Sequence, residues 1–279
     1  MVRRILLGAQ LRRLRESRGI TREAAGYSIR ASESKISRME LGRVRVKERD
    51  VEDLLTFYGI TAAPDRDPVL RLARDSNRAG WWHSYSDVLP GWFQTYIGLE
   101  AAASRIETYE VQFVHGLLQT EAYAHAVTEA GNRGRLTPAE VERRVALRMT
   151  RQRLLCGEQA LRLVCFLDEA CLHRVVGGRE VMDDQLRHLA EMARHPQVTM
   201  RIVPFSRSGH AAESGAFTLL RFPEDELPDI VYVEQLTGAL YLDKREEVGR
   251  YDEAMGSLAE TALTPAESRE KLRKLRREL

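Results

Sequence analysis

At 279 residues, with 43% hydrophobic and 30% charged side chains, the chain has the make-up of a globular protein of about two domains. No apolar run approaches the ~20 residues of a membrane-spanning helix, the Ile5-Leu6-Leu7 run is too short for a secretory leader, and three cysteines make no disulfide framework; the expected compartment is the cytoplasm. The net charge of +2 is small, yet residues 1–60 hold fourteen Lys/Arg against eight Asp/Glu, a basic head on a mildly acidic body.

Leu6, Leu7, Leu11 and Leu14 recur at helical spacing and predict a first helix over 6–18, closed by Gly19. Thr21 is placed to cap a second helix over 22–28, and Ser32 a third over 33–41 that stops at Gly42. A fourth, over 47–58, buries Val51, Leu54 and Leu55. Pro64, Asp65, Asp67 and Pro68 break the pattern, so 61–80 is expected as a hinge followed by a short helix. Beyond it an aromatic stretch from Trp81-Trp82 to Trp92-Phe93 leads into helical patterns over 95–110, 120–130 and 138–156, the last opened by a capping box at Thr137–Glu140. Strand-like runs follow at 161–167, 198–203, 217–222 and 230–233, with helices over 169–176 and 180–194 between the first two. Helices over 243–262 and 265–279 close the chain. The expected fold is mainly α with an α+β second domain: an N-terminal five-helix-type helix-turn-helix domain over 1–60, the hinge, and a domain over 81–279 with a mixed sheet flanked by helices.

The segment from Thr21 to Gly42 carries the chemistry. Two helices cross steeply only where contact residues are small, as Ala25 and Gly26 are, and the second must bury one face while freeing the other. Ile36 and Met39 supply the buried stripe; Glu33, Ser34, Lys35 and Arg38 are left outward. The N-terminal residues of such a helix reach base edges in the major groove. Arg38 or Lys35 can read guanine, Glu33 can accept from cytosine, and a serine hydroxyl serves either role.

With Leu11, Leu14, Gly19-Ile20-Thr21 and Ser32-x-x-x-Ile36-Ser37-Arg38-x-Glu40-x-Gly42, residues 6–60 resemble the Cro/C1-type (XRE) helix-turn-helix family. The resemblance implies a bonded pair between Arg15 and Glu40, and phosphate contacts from Arg22 and from Arg43 or Arg45; Thr21, Ser32 and Ser37 are read as further phosphate contacts. One departure is Arg30, at a turn position the family often fills with glycine. From Trp81 onward the chain resembles the C-terminal domain carried by many actinobacterial regulators of this type, through Tyr96-Ile97-x-Leu99-Glu100, Gly116-Leu117-Leu118-Gln119-Thr120-Glu121-x-Tyr123, Arg148-x-x-Arg151-Gln152 and Leu263-Thr264-Pro265-x-Glu267. That implies an antitoxin-like setting, with the C-terminal domain binding a small partner protein, a small-molecule ligand or its own copy.

Catalysis and metal binding are not expected. Cys165, Cys171 and His173 match no zinc spacing, and Cys165 reads as a buried structural thiol. Asp168-Glu169 suits a helix N-terminus, and the Gly/Ser-rich loop near Ser206 and His210 holds no nucleophile motif. No cofactor is implied. The best pocket candidate gathers Trp81, Trp82, Trp92 and Tyr96 with Gln119 and Tyr123. The expected function is a sequence-specific transcriptional regulator on double-stranded DNA, associated with the nucleoid and acting as a homodimer on a palindromic operator. The alternative is an antitoxin-like protein that sequesters a small partner, with DNA binding serving autoregulation.

Overall fold

A computed structural model describes residues 2–42, 44–77, 80–132, 134–157, 160–207, 209–212, 215–223 and 228–279. The chain forms two compact units, the first ending at His83 and the second beginning at Ser84.

Among the described residues five α-helices build the first unit: α1 (Val2–Ser17), α2 (Arg22–Ser28), α3 (Glu33–Glu40), α4 (Glu48–Phe57) and α5 (Ala63–Asn77). The boundaries follow local chemistry. Thr21 and Ser32 sit in extended backbone and accept from the amides of Ala24 and Lys35, caps worth about 1 kcal/mol each. Gly19 and Gly42 take φ +65°, the left-handed conformation that ends a helix. Leu7 and Leu11, Ala25, Ile36 and Met39, and Val51, Leu54 and Leu55 meet in one core. The expected hinge over 61–80 needs correction. Pro64 lies in the first turn of α5, where its missing N–H costs nothing, and Val69, Leu70 and Ala73 enter the same core. Pro68 is tolerated inside the helix because the apolar face behind it is buried.

In the second unit, α6 (Gly91–Glu100), α7 (Glu121–Asn132), α8 (Pro138–Arg151), α9 (Glu169–His173), α10 (Arg179–Met192), α11 (Arg245–Thr261) and α12 (Pro265–Glu278) surround a sheet. Its strands are β1 (Arg105–Glu110), β2 (Arg162–Asp168), β3 (Val198–Val203), β4 (Phe217–Arg221), β5 (Ile230–Gln235) and β6 (Gly238–Leu242), in the order β3-β2-β1-β4-β5-β6. The first three run parallel and the others antiparallel, so the sheet is mixed, as expected. Residues 105–110, expected at the end of a helix, are its central strand. Their polar side chains are buried rather than outward: Glu107 pairs with Arg221 and Thr108 meets Thr218. The sheet face formed by Tyr109, Phe166, Phe217, Leu219 and Val231 packs on Val248, Met255 and Leu258 of α11. Cys165 is buried in β2, and Asp168 caps α9 by accepting from Ala170 N.

Candidate nucleic-acid interface

The turn between α2 and α3 closes by two bonds, Ala31 N to Gly26 O (2.8 Å) and Arg30 N to Tyr27 O (3.1 Å). This is the six-to-one and five-to-two pattern of a Schellman turn. It places Arg30 at φ +53°, the one non-glycine with positive φ among the described residues. The family's glycine position therefore keeps its left-handed backbone with an arginine in it. Arg30→Gly is expected to raise the stability of the first unit by about 0.5–1 kcal/mol, relief of strain outweighing the looser unfolded chain. Denaturant unfolding followed by circular dichroism reads the shift. Gly26 is needed for a different reason: a Cβ there would lie 2.7 Å from the backbone oxygen of Ala31.

Across the turn, α3 buries Ile36 and Met39 and leaves Glu33, Ser34 and Arg38 exposed. Its far end is anchored by the predicted pair. Arg15 Nε donates to Glu40 Oε1 at 2.5 Å and its Nη2 to Oε2 at 3.1 Å, both side chains nearly inaccessible, while Nη1 donates to Ile20 O at 2.7 Å. The Glu40 bond holds the Arg15 pKa above its ordinary value. One guanidinium thus ties α1, the loop before α2, and α3.

Two expected DNA contacts are engaged within the protein. Lys35 Nζ reaches Asp50 Oδ2 of α4 at 2.8 Å, and Arg22 Nε donates to Glu40 Oε2 at 2.9 Å. Arg38 stays on the surface, its Nε bonding only weakly to Ser34 O at 3.3 Å. Thr21 and Ser32 accept backbone amides as caps, which leaves each hydroxyl proton for an outside acceptor. Ser37 is half-buried and Arg45 exposed; Arg43 lies outside the described residues. Two residues escaped sequence reasoning. Arg4 has a buried Nε without a partner, and burial, then the neighbouring Arg45, lowers its pKa. Tyr27, 87% exposed, stands on α2 next to the turn. An aromatic outside the apolar stripe of α2 was its available signal; nothing in the spacing pairs Arg4 with Arg45.

Trp81 and Trp82, two of the residues predicted to share a pocket, open a short 3₁₀ helix (Trp81–Tyr85) at the boundary of the two units, edge to face at 6.0 Å. In the second unit a cavity of about 550 Å³ is lined by Trp92 and Phe93 of α6, Asn132 of α7, Arg144 and Arg148 of α8, and Glu234 of β5. Tyr96, Gln119 and Tyr123 are buried and hold other groups in place. Tyr96 lies under the Arg151 guanidinium, Gln119 Oε1 accepts from Arg148 Nη1 at 2.8 Å, and Tyr123 OH accepts from Val114 N. Arg151 is fully paired, donating to both Glu100 oxygens at 2.7 and 2.6 Å. Burial, then the Arg151 charge, brings the Arg148 pKa down to about 10.

A helix-turn-helix domain matches residues 6–68, and a domain of unknown function (DUF5753) matches residues 93–274. No curated protein and no solved structure matches the chain. No described helix is long and apolar enough to cross a membrane. The helix-turn-helix match and the α2–turn–α3 geometry mark a DNA-binding regulator.

Proposed function

The chain belongs to the family of that C-terminal domain (DUF5753), and on this premise we propose that it is a sequence-specific, non-catalytic transcriptional regulator whose second domain governs the first. The observation that carries the reading is α3: a helix with one face exposed as Glu33 and Ser34 in its first turn and Arg38 one turn further on, and its other face locked by Ile36, Met39 and the Arg15–Glu40 pair. Arg38 is the principal base reader, because Lys35 is already held by Asp50. Phosphate contacts come from Arg45 with Arg4, two adjacent cations, and from the hydroxyls of Thr21 and Ser32. Two copies related by two-fold symmetry would set their α3 helices about 34 Å apart on a palindromic site.

Selection of bound DNA from a random pool, using the full chain at moderate salt, tests this. Wild type is expected to enrich a palindrome. Arg38→Ala should lose about 1–3 kcal/mol at one base position in each half-site, whereas Arg45→Ala should weaken all sequences alike and flatten the salt dependence by about one unit. Enrichment of no sequence by wild type sinks the proposal.

A second reading, the sequestering of a small partner protein, is favoured by the edge strand β6. Leu240 is exposed along it, and Leu236, 98% exposed, sits in the turn before it. An apolar open edge suits strand addition by a partner. A stoichiometric complex on size exclusion after co-expression with the neighbouring gene product supports it, and separate elution removes it.

A further inference from the structure

We propose that the cavity between α6, α7 and α8 binds a small organic anion with a flat apolar body, Arg148 and Arg144 taking the anionic group and Trp92 and Phe93 the apolar face. The inference deepens the reading of the second domain as the receiver of a signal, and rests on that reading for its biological purpose only.

The first ground is charge. Arg144, Arg148 and Arg151 recur at i, i+4 and i+7 on α8, so one helix face turns three guanidinium groups toward the cavity. Arg151 has its carboxylate in Glu100. The other two are bonded to neutral acceptors, Arg148 to the Gln119 amide and Arg144 Nε to Val88 O at 2.7 Å. Among the described residues the only carboxylate lining the cavity is Glu234, and its Oε2 accepts from Tyr232 OH at 2.8 Å. Glu234 near Arg148 and Glu140 near Arg144 act only through space, with no carboxylate bonded to either guanidinium among the described residues. Arginines drawn partly out of water without a bonded counter-ion are costly unless something anionic completes them. Most donors of the Arg148 fork stay open to such a group. The contrast lies in the same unit. In the cavity beside β1 and α11, Arg221 is already answered by Glu107, Asp229 and Asp252.

The second ground is an orphan donor. Asn132 is nine-tenths buried, lines the cavity, and its Nδ2 has no hydrogen-bond partner. Buried amide donors are almost always paired, so an unpaired one beside two arginines that bond only neutral acceptors calls for an acceptor. The third ground is shape. A volume of about 550 Å³ falls within the usual range of small-molecule sites, and a lone inorganic ion would leave Trp92 and Phe93 uncovered.

The test is calorimetric titration of the full chain, without DNA, using 2-naphthoate as probe, with 2-naphthamide and inorganic phosphate as comparisons. Working without DNA separates failure here from failure of the regulator reading. The expected result is saturable binding of one naphthoate per chain in the sub-millimolar range, with the amide and phosphate each weaker by about tenfold or more. Arg148→Met and Trp92→Leu should each weaken naphthoate by about tenfold or more, and Arg105→Met, in the other cavity, should leave it unchanged. Circular dichroism checks that the variants fold; if Arg148→Met does not, Trp92→Leu and the acid-to-amide comparison on wild type decide. Absence of naphthoate binding at millimolar concentration, equal binding of acid and amide, equal binding of phosphate, or indifference to both substitutions overturns the proposal.

Discussion

Glu40→Ala is expected to destabilise the first unit by about 3–5 kcal/mol and to abolish DNA binding with it. The size follows from what remains. Arg15 is a cation with almost no access to water, and without Glu40 its charge is left to the Ile20 carbonyl and to Glu16 at 3.2 Å on the surface. A domain has only about 5–15 kcal/mol in hand, and a five-helix unit belongs at the lower end. Amide exchange on α1 and α3 should then approach the rate of an opened state, since the pair joins the last turns of both helices. The charge argument is checked by the double variant Arg15→Met/Glu40→Leu. It removes both ions together and should recover most of the loss, whereas Arg22, one-third exposed, is left to water. A loss below about 1 kcal/mol for the single variant would mean that solvent or Glu16 already satisfies Arg15. In that case α3 is held by its apolar stripe alone.

That pair also shows what was legible in the sequence. The stretch from α2 to α4 could be read nearly to the residue because its boundaries are written in local chemistry: Thr21 and Ser32 cap, Gly19 and Gly42 end helices, and Ile36 and Met39 fall on one stripe. The Arg15–Glu40 bond came from resemblance; no spacing argument joins residues 25 apart. Breaker residues misled in α5, where Pro64 and Pro68 suggested a hinge but Val69, Leu70 and Ala73 complete the core. In β1 the opposite happened: Ile106-Glu107-Thr108-Tyr109 sets two polar residues side by side and shows no period-two pattern, so nothing marked a strand. Yet both polar side chains are buried because Arg221 and Thr218 on β4 satisfy them. β6 was missed because the turn before it, Leu236-Thr237, carries none of the Gly or Asn that marks a hairpin.

Of the pocket residues predicted within the second unit, Trp92 lines the cavity, whereas Tyr96, Gln119 and Tyr123 are buried and hold other groups in place. What does assemble around Trp92 is a row of arginines on α8 that, from sequence alone, is indistinguishable from a solvated helix face. Its meaning depends on Gln119 and Glu100, supplied by segments about 30 and 50 residues away. Polar residues that look like surface and are buried against one another are the common element in β1 and in this cluster. They are what a hydrophobic pattern cannot show.

The same buried polar cluster sets the second large expectation, a pH dependence with two limbs. His115 is buried, its Nδ1 accepts from Leu117 N at 3.3 Å, and burial, then Arg151 and Arg148, depresses its pKa to about 3. In the unfolded chain it titrates near ~6.5. The folded state therefore holds His115 neutral. Its contribution is complete above about pH 6.5 and is lost as pH falls toward 3, at about 1.4 kcal/mol per unit. By pH 4 the loss is about 3 kcal/mol. Glu110 has the opposite sign. Burial, and more weakly Glu234, raises it to about 8, so its stabilising share is complete below about pH 4.5 and lost as pH climbs through 8. Between about 4.5 and 6.5 the two slopes cancel, and outside that window each acts alone. Unfolding of wild type, His115→Gln and Glu110→Gln across pH 4–9 separates them from the titration of surface carboxylates. The gap between wild type and His115→Gln should change by about 3 kcal/mol from pH 7 to 4, and the gap to Glu110→Gln should stay constant below about pH 4.5 and change from there up to about pH 8. A gap to His115→Gln that stays constant with pH would show that the imidazole can take its proton inside the fold, with an anion or water close enough to the arginines to offset their charge.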